Sequence, residues 1–213
     1  MRKWTLGIAG LALVGTAVAV FSFSNAVAGD HAAKGAQVGQ PAPTFNLTAV
    51  RTGEPVSLDQ FADQNVVLVW QSINCPWDKM REDGGYQRVL SPLAEKYQDK
   101  GIVFLAINSN KTESVEEIAA YATKHNIPYP ILKDLNNVVA DTYGAKTTPH
   151  IYIKGKDGTL VYKGGLEEVP TSPGKCGEMD VQYLVPVLDA LLAGETLPFT
   201  STESKGCSIK RVN

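Results

Sequence analysis

Residues 66–83, VVLVWQSINCPWDKMRED, pass from an unbroken apolar run into charge, with one cysteine, Cys75, near the changeover. An uncharged, β-branched run without alternation marks a strand covered on both faces. Pro76 suits the first turn of a helix, where its missing N–H costs nothing, and the polar WDKMRED predicts that this helix runs outward. A thiol at such a junction lies beside unpaired backbone N–H groups and the positive end of a helix dipole. Both favour the thiolate, the form that attacks disulfides, peroxides and metals. The competing reading is a buried, inert cysteine acting as a small hydrophobe.

Outward from this stretch the pattern is α/β. SPLAEKYQDKG (91–101) predicts a helix capped by Ser91, with Pro92 at its first position and Gly101 at its end, and IVFLAIN (102–108) predicts the next strand. Strand, helix, strand in that order gives a parallel pair with a crossover. Ser114 and Glu117 form a capping-box signal for a helix over SVEEIAAYATKHN. A short strand near YPILKD and a short helix near NNVVADTYG follow. HIYIK (150–154) and TLVYKG (159–164), joined through Asp157-Gly158, read as an antiparallel hairpin. A last helix, MDVQYLVPVLDALLAG, stops at Gly194, with Pro186 either kinking it or marking its true start. On the N-terminal side, PAPTFNLTAVRTGEPVSLDQF (41–61) reads as extended pieces broken by prolines. Together these elements make one domain over 41–194, a mixed central sheet with helices on both faces.

The ends differ in character. Residues 1–28 begin with Arg2 and Lys3 and carry no further charge until Asp30, and small residues Ala26 and Ala28 stand before a cleavage point. The segment is a signal peptide or, given its uncharged length, a membrane anchor, and in either case the body is exported to the periplasm or cell envelope. Residues 29–40, GDHAAKGAQVGQ, read as a linker, and 195–213 as a polar tail carrying Cys207. The full chain holds 20 Lys+Arg against 22 Asp+Glu. That balance makes nucleic acid a poor partner, and the basic SIKRV group reads as a solvated terminus. Any membrane contact runs through the N-terminal segment alone. Cys75, Cys176 and Cys207 make an odd count. In an oxidising compartment this means one disulfide with a thiol left over, or a catalytic thiol whose partners change; all three pairings are open.

PAPTFNL, VVLVWQSINCPW, GIVFLAINSN, TTPHIYI and KDGTLVYKG, taken together from about Val38 to Gly194, resemble the thioredoxin superfamily and look most like its exported peroxiredoxin-like redoxin (AhpC/TSA-type) branch. The ending GCSIKR is similar to that of many exported members. The resemblance implies a thioredoxin-like fold, Cys75 in the place of the first, nucleophilic cysteine, and Thr148-Pro149 as the cis-proline loop that lies against it and accepts an extended substrate backbone. Pro76 and Trp77 then flank the substrate surface, and Trp70 is core. The family's second cysteine would fall at Asp78, here read as facing water at the helix start. Ser72 matches the hydroxyl that peroxiredoxins set three residues before their cysteine. Their proline is replaced by Leu68, however, and no arginine occurs between Arg88 and Arg211.

These readings converge on a thiol-disulfide oxidoreductase or redox sensor, with no cofactor, acting on protein or small-molecule thiols and disulfides. Cys75 attacks and a non-adjacent cysteine resolves, Cys207 ranking before Cys176, which lies in the Pro/Gly-rich loop EEVPTSPGKCGEMD. The alternatives are a weak thiol peroxidase acting on peroxides, Cu(I) binding by Cys75, His150 and Cys207, or a redox-silent interaction domain.

Overall fold

The computed structural model describes residues 35–78, 86–167 and 183–212. The expected export segment, Cys176 and most of the helix expected after Cys75 lie outside them. The strand expected at the cysteine is β3 (Asn65–Trp70), buried at every position. It pairs in parallel with β4 (Ile102–Asn108), and β4 with β5 (Ile131–Lys133). On its other side β3 pairs antiparallel with β7 (His150–Lys154), which forms the expected hairpin with β8 (Leu160–Gly164). β1 (Asn46–Ala49) and β2 (Pro55–Ser57) close the far edge, giving the order β2-β1-β5-β4-β3-β7-β8. β6 (Thr147–Thr148) stands apart and pairs antiparallel with β9 (Cys207–Ser208).

Because successive strand side chains alternate between faces, β3 feeds two cores. Val67 and Val69 pack with α1 (Gln87–Gln98), α2 (Val115–Lys124) and α4 (Leu184–Ala193). Val66, Leu68 and Trp70 pack with α3 (Val138–Tyr143) and with Ala36, Ala42 and Phe45 from the start of the described chain. Trp70 is core, as expected, its ring 5.0 Å from those of Tyr143 and Tyr152.

Three local expectations change, and one open alternative is settled. α1 starts a turn earlier than Ser91, because the buried Gln87 side chain donates to Tyr129 Oη (2.7 Å) and Ser91 Oγ (2.9 Å), so Pro92 falls inside the helix. Of the two readings of Pro186, the second holds: it lies in the first turn of α4, where its missing N–H costs nothing. Residues 35–40, read as linker, lie on the fold: Ala36 N–H donates to Tyr143 O (3.1 Å) and Gly39 N–H to Leu160 O (2.8 Å). The tail is also docked, with Ile209 buried and Arg211 paired to Asp141, so the basic terminus is not simply solvated. Among the described residues no helix is long and apolar enough to cross a membrane.

Candidate active site

The site forms where the adjacent parallel strands β3 and β4 end, since both loops leaving those ends emerge on one side of the sheet. After Trp70, Gln71 N–H still bonds Ile107 O (3.0 Å), and the chain then turns through Ser72 to Cys75. Ser72 Oγ accepts from the N–H groups of Asn74 (3.2 Å) and Cys75 (3.1 Å) and donates to Glu113. Glu113, 2% exposed, also accepts from Ile73 N–H (3.3 Å), Asn74 N–H (3.1 Å) and Asn108 Nδ2. One carboxyl from the β4 end therefore organises the cysteine loop. The hydroxyl expected to face a peroxide points instead into the protein, its proton committed to Glu113.

Across the site, the Thr148–Pro149 bond is cis, as the resemblance implied. Thr148 is buried and its carbonyl accepts from the Cys75 thiol at 3.1 Å. β9 pairs with this loop, Thr148 opposite Cys207, and Cys207 is one of the neighbours that shift the Cys75 thiol. Both thiols are free. Of the residues singled out in the sequence, Cys75, Ser72, Thr148, Pro149 and Cys207 come together. Pro76 is exposed, and Trp77 packs half-buried against the α1/α4 core.

The electrostatics differ from expectation. Cys75 is 2% exposed. Burial, the hydrogen bond to Cys207 and the Asp78 charge push its pKa up from the ordinary 9.0 to about 12, with the Thr148 hydroxyl and the Cys207 backbone pulling the other way. The expected acidic thiol is not present in this arrangement, because the sulfur is buried and lies near Cys207 and the Asp78 carboxyl. Asp78 does not face water. It is 1% exposed, one carboxyl oxygen accepts from Ser72 N–H, and the other has no partner. Burial raises its pKa well above the usual carboxylate value.

His150 follows the cis-proline and packs on the Tyr152 ring, centroids 4.6 Å apart, with its Nδ1 buried and unpartnered. Burial and the charges of Lys163 and Lys146 lower its pKa from 6.5 to about 4. A depressed base stabilises the fold above its unfolded value, and that contribution is lost as pH falls from 6.5 towards 4. His150→Gln is expected to remove this loss, so the stability gap between wild type and variant changes by up to about 1.4 kcal/mol per pH unit in that window. Denaturant midpoints of both proteins across that range test it. The comparison must be differential, because Asp78 contributes with the opposite sign.

Glu113, with Asn108, Asn110 and Lys133 beside it, escaped the sequence reading. Lys133 Nζ donates to Asn108 Oδ1 (3.0 Å), Asn110 O (2.7 Å) and Glu113 O (2.7 Å). The available signal was the polar run NSNKTE directly after a buried strand adjacent to the cysteine strand, since loops at the carboxyl ends of neighbouring parallel strands share a site.

Comparison with known proteins supports the same reading. A protein of Coxiella burnetii named for the bcp peroxiredoxin is 32% identical over 108 residues, 51% of this chain and 66% of that one. The thiol-disulfide oxidoreductase ResA of Bacillus thuringiensis is 25% identical over 126 residues, 59% of this chain and 68% of the relative. The matches thus span about two thirds of the length of these curated relatives. The solved structure of a conserved Geobacillus kaustophilus protein superposes with a TM-score of 0.74 at 34% identity, covering 82% of this chain and 92% of that one. The architecture is thioredoxin-like, and the named relatives are a peroxiredoxin and thiol-disulfide oxidoreductases. The AhpC/TSA family profile matches residues 38–163, and to that family the chain belongs.

Proposed function

We propose that this redoxin is an exported thiol-disulfide oxidoreductase of the cell envelope, with Cys75 as nucleophile and Cys207 as resolving thiol. The observation that carries the reading is the pairing of β9 with β6, which sets Cys207 opposite Thr148, the residue whose carbonyl accepts the Cys75 thiol proton. The Cys75 thiolate, its proton lost to solvent or a neighbouring acceptor, attacks a substrate disulfide. A Cys75–substrate S–S bond forms, and one substrate thiolate leaves and is protonated. The Cys207 thiolate then attacks Cys75 Sγ, forming a Cys75–Cys207 bond and releasing the second substrate thiol. The substrate disulfide gains two electrons, the protein dithiol loses two, and an external dithiol reductant restores the pair.

Peroxidase chemistry draws less support. Ser72 already donates to Glu113, and Arg211 is held by Asp141 and the Ala145 carbonyl. Among the described residues no group of three His, Cys, Asp or Glu side chains gathers where a metal ion would be held, so the Cu(I) reading gains nothing.

Nonreducing disulfide mapping with turnover assays on a low-molecular-weight disulfide tests the reading. Oxidised wild type is expected to carry Cys75–Cys207. Cys75→Ser is expected to lose disulfide reduction by about a hundredfold or more, and Cys207→Ser to accumulate a mixed disulfide on Cys75. A lone Cys176–Cys207 bond, with Cys75 free and turnover intact in Cys75→Ser, overturns it.

A further inference from the structure

We infer that Thr200–Val212 is a built-in occupant of the strand edge beside Cys75, and that a partner disulfide reaches the sulfur only when this segment lifts away. The inference rests on the proposed role of Cys75 and adds to it a gate supplied by the chain itself.

The segment is laid down by backbone pairing. Lys163 N–H bonds Thr200 O (3.2 Å), Thr202 N–H bonds Lys163 O (3.1 Å), and Ile209 N–H bonds Lys146 O (3.0 Å). Further on, Lys111 N–H bonds Lys210 O (2.8 Å), Lys210 N–H bonds Asn110 Oδ1 (2.7 Å), and Val212 N–H bonds Asn137 Oδ1 (2.6 Å). Between these ties, β9 completes the two-stranded pairing with β6, which among the described residues belongs to no other sheet. Without β9, the backbone groups of Thr147 and Thr148 would be an open edge beside the nucleophile, the feature that recruits an extended chain from elsewhere. The tail thus sits where an incoming extended backbone must sit, and it presents a cysteine to Cys75 as a disulfide-bearing partner would.

Its hold is limited. From Ser201 to Val212 only Ile209 is buried, and most other side chains are exposed or half-exposed. Apart from Ile209 and the Arg211–Asp141 pair, the attachment is a row of hydrogen bonds, each modest in net strength and able to break locally without unfolding the sheet. One contact is unforgiving. A Cβ built on Gly206 would lie 2.0 Å from the Thr148 carbonyl oxygen, so only glycine lets the tail approach this closely.

The test uses the reduced full chain with Cys176→Ser and Cys207→Ser, so that Cys75 is the sole thiol and no turnover is needed. Alkylation of Cys75 by iodoacetamide near neutral pH is expected to be slow in this background. It should accelerate about tenfold or more when Gly206→Val is added, with the denaturant midpoint still cooperative. Ile209→Asp, which removes the buried anchor without touching the Thr148 contact, should accelerate it in the same direction. A synthetic peptide of residues 200–213, with Ser in place of the cysteine, should restore protection to the Gly206→Val protein. Equal alkylation rates in the parent and both folded variants would overturn the gate. Such a result would leave the disulfide mapping, and hence the proposed chemistry, to stand or fall separately.

Discussion

Glu113→Ala is expected to lower the unfolding free energy by about 4 kcal/mol, from the loss of one acceptor shared by several buried donors. Ser72 Oγ, the N–H groups of Ile73 and Asn74, and Asn108 Nδ2 all point at this carboxyl, which is 2% exposed. Removing it strands them in a site with little water, and each stranded donor costs about 1–3 kcal/mol. Lys133 suffers as well. Burial lowers its pKa, while the charges of Glu113, Asp134 and Glu117 raise it, so losing Glu113 removes the first of the groups that keep the ammonium charged. Glu113→Gln should fall between, since it keeps one acceptor and turns the other into a donor facing donors. Urea denaturation of the three proteins checks the order. A loss under about 1 kcal/mol for the alanine variant would mean that water or rearrangement satisfies these groups.

Asp78→Asn is expected to act in the opposite sense near neutral pH. The Asp78 carboxyl is 1% exposed, with one oxygen bonded to Ser72 N–H and the other unpartnered. Burial raises its pKa, the Ser72 N–H bond opposes the rise, and the Glu113 charge adds to it. The folded chain therefore holds a proton that the unfolded chain releases near pH 4. A raised acid contributes its stability in full below the unfolded pKa and loses it as pH climbs through the folded value. Asn carries no such dependence, so the variant should gain on wild type as pH climbs above about 4, measured as the change in their difference. Because the Asp78 charge is one of the influences raising the Cys75 pKa, after burial and the Cys207 hydrogen bond, thiol alkylation in the variant should rise at lower pH than in wild type. Parallel stability curves would show that the Asp78 carboxyl is already satisfied.

Much of this architecture is written in local signals. The unbroken Val66–Trp70 run, the Ser114/Glu117 box and the Asp157-Gly158 turn each specify their element through backbone geometry or two-faced burial, and each forms as read. The cis bond before Pro149 was legible only by likeness, since a threonine-proline pair carries no such instruction by itself. What escaped is what depends on through-space company. Asp78 at a helix start normally faces water; here the turn after Cys75 swings it inward to Ser72 N–H. The acidity expected of Cys75 depended on an open helix end, and a segment 132 residues further along the chain covers the sulfur instead. Glu113 went unread, because nothing in its local sequence reveals that three donors from the loop after β3 and Asn108 from the end of β4 converge on it. The strength of a side chain's local preference decides how far sequence alone reaches, and buried polar clusters have almost none.

The two sulfurs are mounted on unlike supports. Cys75 hangs from the end of the central strand, packed on both faces, whereas Cys207 rides on an arm fastened by scattered single bonds. Warming should therefore part the pair well before the body melts, so that the closeness of the two sulfurs and the integrity of the fold are lost at different temperatures, in that order.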